Sequence, residues 1–152
     1  PTSETDAYRS FFGWGIAAAD NHARLVSSSG AGNSRKPTFL TFINGVVDQR
    51  NATNAMPDAP VILAILSTGS AVSLWVDGVE VASTVGTGSP DTKWFDDLNA
   101  NRITLGANGA AAFGGSVLPY KGEIGRLAVF SPGVTAQNIV VATALLSAIW
   151  GT

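Results

Sequence analysis

Chemistry in this chain would have to come from eleven acidic residues, one histidine and four tryptophans. A pair of carboxylates two apart on one strand would share a face and could serve as acid and nucleophile. No expected strand carries such a pair. Asp96 and Asp97 are adjacent and point apart if the chain is extended there. His22 lies two residues from Asp20, but no nucleophile-elbow pattern accompanies it, so it reads as a polar loop residue. "GTGS" (86–89) has no Lys-Ser/Thr after it and no helix behind it, so it is not a phosphate loop. The chain has no cysteine, which excludes disulfides, thiolate zinc sites and cysteine nucleophiles.

The more legible recognition chemistry is in "SLWVDGVEVAS" (73–83), two short strands around an Asp-Gly turn. A two-residue loop at Asp77-Gly78 pairs Val76 with Val79, Leu74 with Val81 and Val72 with Ser83. Alternation then puts Val72, Leu74, Val76, Val79 and Val81 on a core face, and Ser73, Trp75, Glu80 and Ala82 on the other. Two arrangements of Trp75 follow. If its face is covered by a loop or the helix, Trp75 is core and its indole N–H needs a partner. If the face is open, Trp75 and Glu80 form an aromatic platform beside a carboxylate, suited to a sugar or a protein. Trp94 is a further candidate ligand-binding aromatic.

The elements that must position these groups read mostly as strands. At 152 residues one domain is expected, large enough to fold without a staple. The charged share is 13%, about half the usual fraction, while the hydrophobic share is 45%, so the chain is compact and weakly charged. A net charge of -2 with no basic block excludes a nucleic-acid partner. No apolar run reaches the length of a membrane span, so no membrane insertion is expected, and no signal peptide is visible. The chain starts at Pro1, as a processed product or a piece of a longer polypeptide would.

Strands are expected in 8–20, 23–29 and 38–43, with Asn44-Gly45 turning the last into 46–50. The apolar run 61–67 suits a strand covered on both faces. After the hairpin, 83–101 is a polar excursion carrying Trp94 and Phe95. Strands return at 102–107 and 121–131, the latter with Ile124, Leu127 or Ala128, and Phe130 as core candidates. The run 134–150 is the only convincing helix, capped by Thr135, with apolar residues recurring at Ile139, Ala142, Leu146 and Ile149. It is apolar nearly all round, so part of it should pack on something beyond one sheet. There is no internal repeat. The fold class is all-β: a two-sheet antiparallel sandwich with one short C-terminal helix.

Within 59–150, Val61 to Leu66, "LWVDG" (74–78), "ITLGA" (103–107), Phe113, "YKGEIGRLAVFS" (120–131) and "TAQNI" (135–139) follow one another in an order that resembles the laminin G-like and pentraxin-like branch of the concanavalin A-like jelly rolls. The first half matches only in strand rhythm, and two further N-terminal strands usual in such families are not found. The resemblance implies a jelly-roll sandwich spanning 1–152, lacking N-terminal strands or completed by a longer assembly. It implies carbohydrate or protein binding at an exterior surface. Glycosidases of this fold set their carboxylates two apart on one strand, a pattern missing here, so no enzyme is expected. No cofactor is called for, calcium excepted. Related modules bind calcium at the sandwich rim, and Asp97, Asn99 and Asn101 offer oxygens at alternate positions. Arg102 at the required glycine position rules out an EF-hand, and "ADN" (19–21) is a second calcium candidate.

The functional expectation is a non-catalytic binding or adhesion module, extracellular, on a bacterial surface or a phage particle. Its alternative is a structural virion module, such as a decoration, fibre or tail protein, whose faces pack against neighbouring subunits. In either case a homo-oligomer or a part of a larger assembly is expected, with Trp150, Ile149 and Leu146 at a contact.

Overall fold

A computed structural model describes residues 9–15, 21–28, 35–44, 46–89, 91, 98, 102–106, 124–130 and 133–150. The described residues form two antiparallel sheets and one C-terminal helix, the architecture expected from the strand pattern. The strands are β1 (Arg9–Gly15), β2 (His22–Ser28), β3 (Lys36–Ile43), β4 (Val46–Ala52), β5 (Leu63–Ser67), β6 (Val72–Val76), β7 (Val79–Val81), β8 (Ser83–Thr87) and β9 (Arg102–Leu105). The helix α1 spans Ala136–Trp150. One sheet has six strands in the order β8-β4-β3-β2-β1-β9, and the other has three in the order β5-β6-β7. The first half, which matched known families only in rhythm, thus supplies four strands of the larger sheet.

Local chemistry explains the turns. Ile43 pairs with Val46, leaving two residues at the Asn44-Gly45 site, and Asn44 takes a positive φ of 51°. Asn tolerates this left-handed conformation better than most residues. Its N–H donates to Asn21 Oδ1 at 2.8 Å, which ties the turn to the start of β2. The β6–β7 register is Leu74 with Val81, Trp75 with Glu80 and Val76 with Val79, as the alternation required. Asp77 (φ 51°) and Gly78 (φ 77°) both lie in the left-handed region, the geometry of the two-residue hairpin turns whose twist matches that of strands. Asp77 also reaches outside the hairpin. Its Oδ1 accepts the Ile62 N–H at 2.8 Å, and its own N–H donates to the Ile62 carbonyl at 2.9 Å. The turn is therefore fastened to the segment that enters β5.

The core lies between the sheets. Ala23, Leu25, Phe39 and Ala52 from the larger sheet meet Val72 and Leu74 from the smaller, with Leu98 between elements. Phe12, Ile43, Leu63, Ile65 and Val81 pack around them. Cross-strand partners share a face, so Leu25 with Phe39 and Phe12 with Leu25 make one apolar row across the sheet.

Four expectations are corrected. The run from Ser83 is not wholly a polar excursion: β8 occupies its first five residues and pairs with β4. Ser83 accordingly pairs with Ala52, not with Val72, because the chain leaves the smaller sheet at Ala82 and enters the larger one. The Ala82 carbonyl at this crossing accepts both the N–H and the hydroxyl of Thr53, at 2.8 and 3.0 Å. β5, expected to be covered on both faces, is an edge strand and half-buried throughout. Finally, Ile124–Phe130 forms no strand and is exposed along its length, so Ile124, Leu127, Ala128 and Phe130 are not core. An alternating pattern makes a strand only where a sheet edge accepts it, and this segment has no ladder to either sheet.

The helix begins with a reciprocal cap. Asn138 Oδ1 accepts the Thr135 N–H at 2.8 Å and its hydroxyl at 2.8 Å, while the Asn138 N–H points back at Thr135 Oγ1 at 3.4 Å. This is a capping box with Asn in the usual Glu or Gln position. Ile139 and Thr143, one turn apart, are its buried residues. Thr143 rests on the β6–β7 turn: a Cβ added at Gly78 would sit 3.2 Å from both Cβ and Cγ2 of Thr143. Gly78→Ala is therefore expected to lower stability for two reasons, the left-handed φ, worth about 1–2 kcal/mol, and the crowding of α1. Urea unfolding should show a lower midpoint at unchanged slope, and an unchanged midpoint would refute this account of the turn.

Candidate functional site

The hairpin that positions Trp75 and Glu80 settles which face they occupy. They are direct cross-strand partners on the side away from the valines. Trp75 is nevertheless only 7% exposed, and its Nε1–H donates to Ser73 Oγ at 2.8 Å, two residues away on the same face. Of the two arrangements open to the sequence, the covered one is found. Trp75 and Ile139 are both buried, yet neither belongs to the cluster between the sheets. With α1 seated on the adjoining Gly78 turn, this fits a helix laid over the Trp75 face of the hairpin. Trp75 offers no flat face to a ligand and is corrected from recognition residue to core residue. Glu80 remains exposed beside it.

Trp94 and the calcium candidates Asp97, Asn99 and Asn101 lie outside the described residues. Of the second calcium candidate, Asn21 is described, and its Oδ1 is engaged by the Asn44 N–H. Among the described residues, no three His, Cys, Asp or Glu side chains come together as a metal group. His22 is not a loop residue. It opens β2 and stacks flat on its cross-strand partner Phe42, ring centroids 5.2 Å apart.

The described polar side chains converge elsewhere, at a corner that sequence reading missed. Arg50 on β4 holds Asp91 with a forked contact, Nη2 lying 2.6 Å from each carboxylate oxygen. Arg50 Nη1 also donates to Ser83 Oγ at 3.2 Å, just past the crossing between sheets. Asp91 Oδ1 in turn accepts the Val72 N–H at 2.8 Å, at the start of β6. Asp48, buried two residues before Arg50, accepts the Ser89 N–H. These groups fix the chain after β8 against both sheets. Arg50, Asp91 and Asp48 each hold a structural partner, so the corner works as a clasp between the sheets. Arg50 and Asp91 stand 41 residues apart, and no spacing rule connects them.

A second feature is a surface. α1 carries no charged residue in its fifteen positions. Ile139, Ala142, Thr143, Leu146 and Ser147 turn inward, while Val140, Val141, Ala144, Leu145, Ala148 and Ile149 face out. Of the expected contact residues, Ile149 is on the outer face and Leu146 is half-buried on the inner one. The Trp150 side chain lies outside the described residues.

Two substitutions separate the roles in the hairpin. Trp75→Ala should cost about 3–5 kcal/mol of stability, the usual toll of emptying a buried tryptophan site. Glu80→Ala should stay within about 0.5 kcal/mol of the parent. Thermal unfolding of both variants checks this, and a Trp75 variant that melts with the parent would return the residue to the surface. For the clasp, Asp91→Ala should cost about 2–3 kcal/mol, because it strands a partly buried guanidinium and the Val72 N–H. Chemical denaturation reads this loss, and a shift below about 0.5 kcal/mol would reduce the clasp to an ordinary surface pair.

No family model matches the chain, and no curated protein matches it. Among solved structures, it is similar to an S-layer domain-containing protein (residues 221–444) from Clostridium thermocellum, with 16% identity and a TM-score of 0.39. The likeness covers 92% of this chain, which spans 64% of the length of that one.

Proposed function

We propose that this domain is a non-catalytic module of an exterior surface, cellular or viral, which works by packing its apolar faces against protein neighbours. The observation that carries the reading is the outward face of α1, where Leu145 and Ile149 are 62% and 64% exposed with no charged residue on the helix. Apolar surface of this kind marks contact sites in soluble proteins. The exposed run Ile124–Phe130, with Val129 and Phe130 more than half exposed, adds a second such surface. The low charge and absence of cysteine suit an assembled exterior protein, as does the resemblance of 59–150 to laminin G-like modules.

A glycan-binding role, one of the two recognition modes expected from sequence, loses Trp75 as an open platform. Catalysis has no support in the described side chains, because Arg50, Asp48 and Asp91 are committed to one another or to backbone N–H groups. Incubation with a panel of laminarin, xylan, chitin and peptidoglycan should release no reducing ends. Electrophoresis through gels containing the soluble members should not retard the protein. Turnover, or retardation abolished by Glu80→Ala, would overturn this reading in favour of a carbohydrate-active one.

A further inference from the structure

We infer that the outward face of α1 is a two-fold homodimer contact, in which the helix of one copy packs antiparallel on the same helix of a second. This names the partner for the packing role proposed above and rests on that reading. Val140 and Val141 are 41% and 50% exposed, and with Leu145 and Ile149 they run the length of the helix. The polar outward residues, Gln137 and Asn138, are confined to the first turn. The rest of the face offers nothing with which to recognise a charged or hydrogen-bonding partner.

The order of large and small residues on that face matches its own reverse. In an antiparallel pair crossing near residues 144 and 145, Leu145 of each copy lies over Ala144 of the other. Val141 then lies over Ala148, and Val140 lies beside Ile149. Each large side chain meets a small one near the axis, which is the condition for close helix packing. A two-fold contact uses one patch twice and closes on itself, so this contact does not itself propagate a filament. With no charge on either helix, the second copy meets no repulsion across the seam.

The area is of the right order. The four large outward side chains expose roughly 400 Å², about half of the ~800 Å² that each partner gives to a standard interface. The exposed Ala144 and Ala148 add to this. The expected product is a concentration-dependent dimer rather than an obligate one.

Sedimentation equilibrium over a wide concentration range tests the inference. The parent should move from the 15.6 kDa monomer toward twice that mass as concentration rises. Leu145→Lys and Val141→Lys should weaken association at least tenfold without lowering the melting temperature, since both positions face solvent in the monomer. Val46→Lys, at an exposed apolar residue on the β3–β4 hairpin, should leave association unchanged. Because the chain has no cysteine, Ala144→Cys gives a direct check, and mild oxidation should produce a covalent dimer. A parent that stays monomeric at every concentration would overturn the inference while leaving the broader packing role to be met by another protein. A dimer that survives both lysine variants, or that Val46→Lys also abolishes, would place the contact elsewhere and equally overturn it. The polysaccharide assays test the broader role independently.

Discussion

The two sheets are tied at a corner where the chain passes from β7 in the smaller sheet to β8 in the larger. The extended run from Val79 to Thr87 belongs to the smaller sheet before Ala82 and to the larger sheet after it. A carbonyl at such a crossing has left one ladder and is not yet in the next, so it needs another donor. Thr53 supplies two. Arg50 then reaches Ser83 on the far side of the crossing and Asp91 beyond β8, and Asp91 closes onto Val72. Main-chain ladders hold each sheet together within itself. This corner sets how one lies on the other, and hence which side chains can share a core.

That placement determines the fate of the hairpin. With Val72 and Leu74 pressed into the space between the sheets, the opposite face of β6 must be solvated or given a second cover. The helix supplies a layer at the turn, where Thr143 sits against a residue with no side chain. Gly78 thus serves two requirements: a left-handed φ, which the hairpin needs, and a missing Cβ, which the helix needs. Trp75 is buried on that face, with Ser73 taking the indole N–H so that this polar atom is satisfied. A residue type suited to sugar stacking is used here for packing.

The inner side of α1 satisfies the domain, and its outer side does not need to be apolar for the fold. A helix covering one sheet ordinarily carries charge toward water. Here Val140, Val141, Leu145 and Ile149 take those places. Together with the exposed Ile124–Phe130 run, this leaves large apolar side chains on the surface, the feature on which the proposed packing role rests.

The local part of this molecule was legible in its sequence. Asn44-Gly45 and Asp77-Gly78 announce their turns because few other residue pairs tolerate the backbone they require. The alternation in 72–81 fixes the pairing of Trp75 with Glu80, because a slip of one residue would put the valines on the wrong face. Thr135 marks the start of the helix, while its reciprocal partner Asn138 emerged only from the structure. What lies across those elements was not legible. Periodicity separates the two faces of a strand but does not say whether one or both are covered, so it left Trp75 between core and platform. The same alternation that made β6 and β7 strands did not make 124–130 one, since a strand needs an edge to pair with and that is a property of the assembled sheets. Arg50 and Asp91 meet only because the crossing at Ala82 brings β8 alongside β4. The apolar character of α1 could be read from its residues, but which half faces outward was decided by the single turn on which Thr143 comes to rest.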